Sequence, residues 1–219
     1  MEKNEKRFSE RGKFSESSLY ASFDGSSPWK DSSVAFNWIN FDYPLMHKHT
    51  DWEILLVVQG QIKQKINGAE TLLNVGDACL IGPADTHALY YPDDKKNDFQ
   101  GACVLVRDGF MKTFLETFNP TMYDKILYHK EPLYFTVSYN AVEKYTDLLI
   151  EAQNTTFSDR RNLLCKIVFD YLILKITEQQ ISPSYIPDEL KDFVRQLNNP
   201  SLTKEELTDA ENALPYSYS

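Results

Sequence analysis

Residues 46–60 read MHKHTDWEILLVVQG. His47 and His49 stand two apart, Glu53 follows four residues after the second histidine, and an apolar, valine-containing run leads to Gly60. Side chains alternate faces along a strand, so on an unbroken strand these three odd-numbered residues project to one side. A fourth group, His87, stands on a later strand, after the corner GPADTH at 82–87. The chain holds 4 histidines, and only His129 lies outside this pattern. Three imidazoles and a carboxylate on one face suit a borderline divalent ion such as zinc, nickel, iron or manganese. The same groups, hydrogen-bonded inside a barrel, would instead shape a polar pocket for an organic ligand. Spacing leaves both readings open.

The surrounding residues say what carries this face. From Val34 to Val106, aromatic and β-branched residues come in short runs separated by turn residues. Asn67-Gly68 between two such runs is a strong hairpin signal, because both residues tolerate positive φ. Many short strands at this spacing predict a sandwich or small barrel. After Asp108 the period changes. Phe110, Phe114 and Phe118 repeat every four residues, and Val142, Tyr145, Leu148, Leu149 and Ala152 mark a second helix. A third helix spans 158–180. Leu164, Ile167, Val168, Tyr171 and Leu172 form one apolar face, which Leu163, Phe169, Ile173, Leu174 and Ile176 widen almost all round. Such a helix is buried on two sides. It is either a central core helix or one that packs on the β-domain with one side and on a second subunit with the other. In the second case Ile173 faces the partner.

The chain has 219 residues, 42% of them hydrophobic and 25% charged, with a formal net charge of -9. That is enough chain to bury a sizeable core. The acidic balance argues against nucleic acid bound over most of the surface, since phosphate contacts need lysine and arginine. The first 18 residues contain no apolar stretch of the kind that opens a secretory leader. The densest apolar segment, LLCKIVFDYLILKI, is broken by Lys166, Asp170 and Lys175, and is too short and charged to span a bilayer. A cytoplasmic protein is expected. Cys79, Cys103 and Cys165 are odd in number and far apart, which predicts reduced, buried thiols.

HKHTDWEILLVVQG looks like the first cupin motif: His-x-His, three residues, Glu, six residues, Gly. GDACLIGPADTH, residues 76–87, resembles the second. In metal-binding cupins the groups at the positions of His47, His49, Glu53 and His87 hold the ion. Phe41 stands where a glycine is usual, Gly82 and Ala84 where proline and glycine are usual, and Tyr91 where asparagine is usual. These departures touch corners rather than ligands.

A cupin followed by helices, a proline-marked linker and a Thr203…Glu206 capping box resembles the AraC/XylS transcriptional regulators, over about residues 33–219. The resemblance implies a mainly β N-terminal cupin, a jelly-roll-like barrel, followed by an α-helical dimerisation region and the start of a helix-turn-helix domain. It implies a polar arm at 1–32, a sensor domain at 33–138 and dimerisation helices at 139–181. A linker at 182–187 and an incomplete helix-turn-helix domain at 188–219 follow. The expected partners are a small polar effector such as a sugar, and a second copy of the chain. DNA is a partner of full-length relatives and is not expected for this chain alone. A helix-turn-helix reads bases with its second helix, and the only basic residues near this C-terminus are Lys191, Arg195 and Lys204. The ligand-binding set is His47, His49, Glu53, Gln64 and His87, with no catalytic residue assigned. Gln64 enters because it shares parity with Ile62 and Ile66. Trp38, Trp52 and Tyr90 are further pocket candidates, though Trp52 and Tyr90 have the parity that turns away from the histidines. The alternative is a stand-alone metal-dependent cupin enzyme, an oxygenase or isomerase.

Overall fold

Strand β3 (Trp52–Gln59) is buried along nearly its whole length, and the two parities of its side chains enter different cores. Trp52, Ile54, Leu56 and Val58 join a cluster with the helices. Leu55 and Val57 join a second cluster between two β-sheets. A strand apolar on both faces belongs to a sheet covered on both sides.

The computed structural model describes residues 31–92 and 98–181, together with Thr203, Glu206 and Asp209. Around β3 lie β1 (Val34–Ile39), β2 (Tyr43–His47), β4 (Gln61–Ile66), β5 (Ala69–Asn74), β6 (Asp77–Ile81), β7 (His87–Tyr90), β8 (Gln100–Val106) and β9 (Leu133–Thr136). One sheet has the order β1-β8-β3-β6-β9 and the other β2-β7-β4-β5, with antiparallel neighbours throughout. This is the cupin sandwich, followed by a helical region. The four-stranded sheet shows water its outer face, so β4 alternates between half-buried and buried residues.

Asn67 and Gly68 take φ of 50° and 91°, as the hairpin between β4 and β5 requires. Gly76 has φ 90°, and a Cβ there would lie 2.6 Å from the Val137 carbonyl oxygen. Gly76→Ala is therefore expected to destabilise the protein by about 2–3 kcal/mol, from left-handed strain plus a backbone clash. A thermal melt matching wild type would refute this.

Helices α1 (Asp108–Phe118), α2 (Met122–Leu127), α3 (Tyr139–Asn154) and α4 (Ser158–Ile176) cover the five-stranded sheet, and α4 runs on into a π-helical turn, Thr177–Ile181. Phe114 of α1 packs on Phe169 of α4 at 5.0 Å between ring centres, and Tyr145 of α3 on Tyr171 of α4 at 4.6 Å. Ser138 caps α3 through the Ala141 amide. Sequence periodicity placed α1, α3 and α4, but not α2 or β9. The Gln179 amide both donates to and accepts from the Thr136 backbone, covering the free edge of β9. Among the described residues, no helix is long and apolar enough to cross a membrane.

Two sequence expectations need correction. The chain is not one unbroken strand from His47 to Glu53: β2 ends at His47 in one sheet and β3 begins at Trp52 in the other. Lys48 to Asp51 carry the chain between sheets, so the parity argument holds for Glu53 but not across the corner. Ile173 does not face outward either. It is 1% exposed within this chain, because α3, β1 and β9 all pack against α4. The apolar girth of α4 is accounted for by the chain's own core.

The expected linker and the helix after it lie outside the described residues. Of the C-terminal signals, the capping box is formed. The Thr203 amide donates to the Glu206 carboxylate at 2.7 Å, and the Glu206 amide donates to the Thr203 hydroxyl at 3.2 Å.

Candidate metal and ligand site

The change of sheet between His47 and Trp52 assembles the site. His47 closes β2 and lies opposite His87, the first residue of β7, with ring centres 4.0 Å apart. Glu53 reaches in from β3 of the facing sheet, and His49 from the corner between. The Glu53 carboxylate lies 3.1 Å from His49 Nε2 and 3.7 Å from His87 Nε2. Donor atoms of His49, Glu53 and His87 all lie within 4.8 Å of one another, so this buried cluster can hold a divalent ion.

The imidazoles are aimed by the backbone. His49 Nδ1 lies 2.6 Å from the Asp51 carbonyl oxygen, and His47 Nδ1 lies 3.0 Å from that of Leu45. A carbonyl only accepts, so each Nδ1 carries a proton, and His49 Nε2 is turned to Glu53. Such outer hydrogen bonds orient metal-ligating histidines. Tyr43 sets its ring edge-on against His47 at 4.6 Å. His47 therefore belongs to the cluster of rings but stands outside the three-donor set.

His87 is placed by a second clamp. The Asp85 carboxylate accepts from the Gly82 amide at 2.7 Å and from the Asn67 side chain at 2.6 Å. Asn67 Oδ1 in turn accepts from the Thr86 amide at 3.0 Å. The hairpin tip thus holds the corner from which β7 starts, and Gly82 and Ala84 in that corner do not disturb it.

Burial pushes the His87 imidazole down to about 4, against the opposing charge of Glu53. Burial would raise the Glu53 carboxyl, but the His49 hydrogen bond and the neighbouring imidazoles bring it below the usual range. His49 moves the other way: burial would lower it, yet the hydrogen bond and charge of Glu53 hold it above an ordinary imidazole. Near neutral pH Glu53 is ionised and His87 neutral, as metal ligands must be.

These shifts give the metal-free protein a pH dependence. His87, depressed from 6.5 to about 4, binds a proton less readily folded than unfolded, so stability falls as pH falls through that window. Glu53, also depressed, loses its stabilising contribution on further acidification. His49, raised, contributes stability at low pH and loses it as pH rises through its folded value. The His87 shift corresponds to about 3 kcal/mol. Chelator-treated protein should melt well lower at pH 4.5 than at pH 7, and His87→Asn should flatten that difference. Equal melting of wild type at both pH values would sink the prediction.

Two cysteines form the floor. Cys79 of β6 and Cys103 of β8 lie opposite Leu55 on either side of β3, within reach of the Glu53 charge. Burial, then the Glu53 charge, pushes both thiols well up, so they are not thiolates at neutral pH. All three cysteines are free and buried, as expected. Their place under Glu53 was not legible, because it depends on which strands pair.

Gln64 is fully buried among Ile62, Ile66 and Leu89 on the inner face of the four-stranded sheet. Trp38 and Trp52 turn to the helical side, donating to Gln153 at 3.0 Å and Asp108 at 2.8 Å. Tyr90 is half-buried, beside Lys63. Parity placed Trp52, while Trp38 is removed from the pocket by its position on β1.

The AraC-like ligand binding domain family matches residues 35–163. No curated protein matches the chain. Among solved structures, a ToxT variant in its apo form from Vibrio cholerae is 11% identical, covering 81% of this chain and 70% of that one, with a TM-score of 0.49. A cupin protein from Bacteroides fragilis is 24% identical over 35% of this chain and 65% of that one, with a TM-score of 0.30. KdgF from Halomonas sp. is 20% identical over 35% and 71%, at 0.31. The chain thus spans about two thirds of the length of these solved relatives.

Proposed function

We propose, for a chain that belongs to the AraC-like ligand binding domain family, that the cupin domain at 33–138 binds a small polar effector. A divalent metal would be held by His49, Glu53 and His87, with His47, packed on His87, as a weaker fourth candidate. In this reading the helices at 139–181 support a homodimer, and the protein works in the cytoplasm. The observation that carries the ligand is the convergence of three donors, His49, Glu53 and His87, at one place between the two sheets.

The same observation favours a second reading, a metal-dependent cupin enzyme of the oxygenase or isomerase type. Three protein donors leave coordination positions open, as a catalytic zinc site does and a structural one does not. The site's geometry speaks more directly for this reading, since none of its residues bears on transcription. When bound, the metal supplies Lewis acidity toward a coordinated oxygen. The chain's own residues hold the imidazoles in place, keep Glu53 ionised and bury the site.

One experiment separates the two. Metal-loaded protein is incubated with a panel of sugars and small hydroxylated acids, followed by NMR and thermal melting. A compound that raises the melting temperature and is recovered unchanged supports the sensor. A compound consumed by wild type but not by His87→Ala supports the enzyme. Neither effect with any compound would sink both. The dimer is checked separately, by light scattering at micromolar concentration.

A further inference from the structure

Gln64 is the one glutamine among the described residues with both side-chain amide atoms, Oε1 and Nε2, buried and without a hydrogen-bond partner. It is 0% exposed. Leaving such a group unpaired costs stability, and neighbouring Ile62, Ile66 and Leu89 offer it nothing. Strand register shows where it lies. Gln64 is opposite Leu89, and Ile66 is opposite His87, so Gln64 and His87 are diagonal neighbours on one inner face. His87 Nδ1 is likewise buried and unpartnered among the described residues. An unpaired donor–acceptor pair thus stands beside the cluster of His49, Glu53 and His87.

We infer that Gln64 is the specificity-determining residue of this site, and that the ligand is a small 2-hydroxycarboxylate. The inference rests on the metal and ligand site proposed above. Two neutral imidazoles and one carboxylate leave a bound dication with excess positive charge, which an anionic oxygen of the ligand offsets. A bare carboxylate only accepts hydrogen bonds, so it would satisfy the Gln64 N–H and strand Oε1. A hydroxyl on the adjacent carbon supplies the missing donor. The amide presents its donor and acceptor side by side, matching a hydroxyl next to a carboxylate. Its apolar neighbours Ile62, Ile66 and Leu89 offer no substitute partner, so analogues that leave the amide unpaired are penalised.

The test uses the full chain loaded with zinc, titrated calorimetrically with glycolate and with acetate, which lacks the hydroxyl. Gln64→Met keeps the length and removes both hydrogen-bonding atoms, and Gln64→Leu serves as a second variant. Wild type should prefer glycolate over acetate about tenfold more strongly than either variant does, the fold-change expected of one to two neutral hydrogen bonds. The ratio of ratios isolates Gln64 from any chelation by the hydroxyl itself. The metal-free variants should melt at or above the wild-type temperature. An unchanged preference in the variants, or acetate binding wild type as well as glycolate does, would overturn the inference while leaving the metal site standing. Variants that melt well below wild type would overturn it too, since Gln64 would then be paired within the protein. Failure of wild type to take up zinc would bring down the site and, with it, this reading of Gln64.

Discussion

Ile173→Glu is expected to abolish the fold rather than split a dimer. Ile173 is 1% exposed inside α4, and its neighbours Leu172 and Leu174 are 0% and 2% exposed. The core around it is apolar, drawn from α3, β1 and β9. A carboxylate there has no cationic partner placed to meet it: among the described residues, Lys166 bonds Asp170 and Lys175 bonds Glu178. Burying an unpaired charge typically costs 3–5 kcal/mol or more, and the lost packing adds to it. Domains of this size are stable by about 5–15 kcal/mol, so much of that margin goes. The variant should express poorly or show a much lower cooperative melt by circular dichroism. A variant that melts like wild type but scatters light as a smaller particle would show that Ile173 lies at an interface after all.

Ile173 also shows where sequence stops informing. Periodicity correctly reported that α4 is apolar nearly all round, but it carries no name for the partner. The chain's own third helix and edge strands turned out to supply the cover. The short strand β9 was missed because Leu133 to Thr136 sits between helical segments and is too brief for alternation to register; only its pairing with β6 makes it a strand. At the site, the two-residue period placed Glu53, Trp52 and Gln64 on the correct faces, since each lies within a regular strand. It could not place His47 and His49, which straddle a change of sheet. Their convergence with His87 was legible through the motif resemblance and not through geometry. The thiols beneath Glu53 and the Asn67–Asp85 clamp depend on long-range pairing, to which one sequence is silent. The hairpin tip was read from Asn67-Gly68, but its second task, bracing the corner before His87, appears only in the folded chain.

Metal uptake is the other large expected effect. Purified protein incubated at neutral pH with zinc, nickel or manganese should retain about one equivalent. Glu53→Gln and His87→Ala should each lose it. These two remove a donor atom outright, from positions that are 7% and 2% exposed. Their loss should exceed the roughly 10–100-fold that removing a ligand's supporting hydrogen bond costs. His47→Ala is expected to act less strongly. Its ring packs on His87, yet its nitrogen is not among the donors within 4.8 Å of one another. A loss equal to that of His87→Ala would promote His47 to a full ligand. Binding to wild type alone should raise stability by about 2.7 kcal/mol when free metal is 100-fold above its dissociation constant, an increase of several degrees in melting temperature. Uptake should also release a proton, because Glu53 holds His49 above an ordinary imidazole and its Nε2, which faces that carboxylate, must shed hydrogen to coordinate. Calorimetry in buffers of different ionisation enthalpy reads that proton directly. A chain that takes up none of the three ions, by elemental analysis after gel filtration, would leave His49, Glu53 and His87 as a hydrogen-bonded polar cluster and remove the metal from the proposed function.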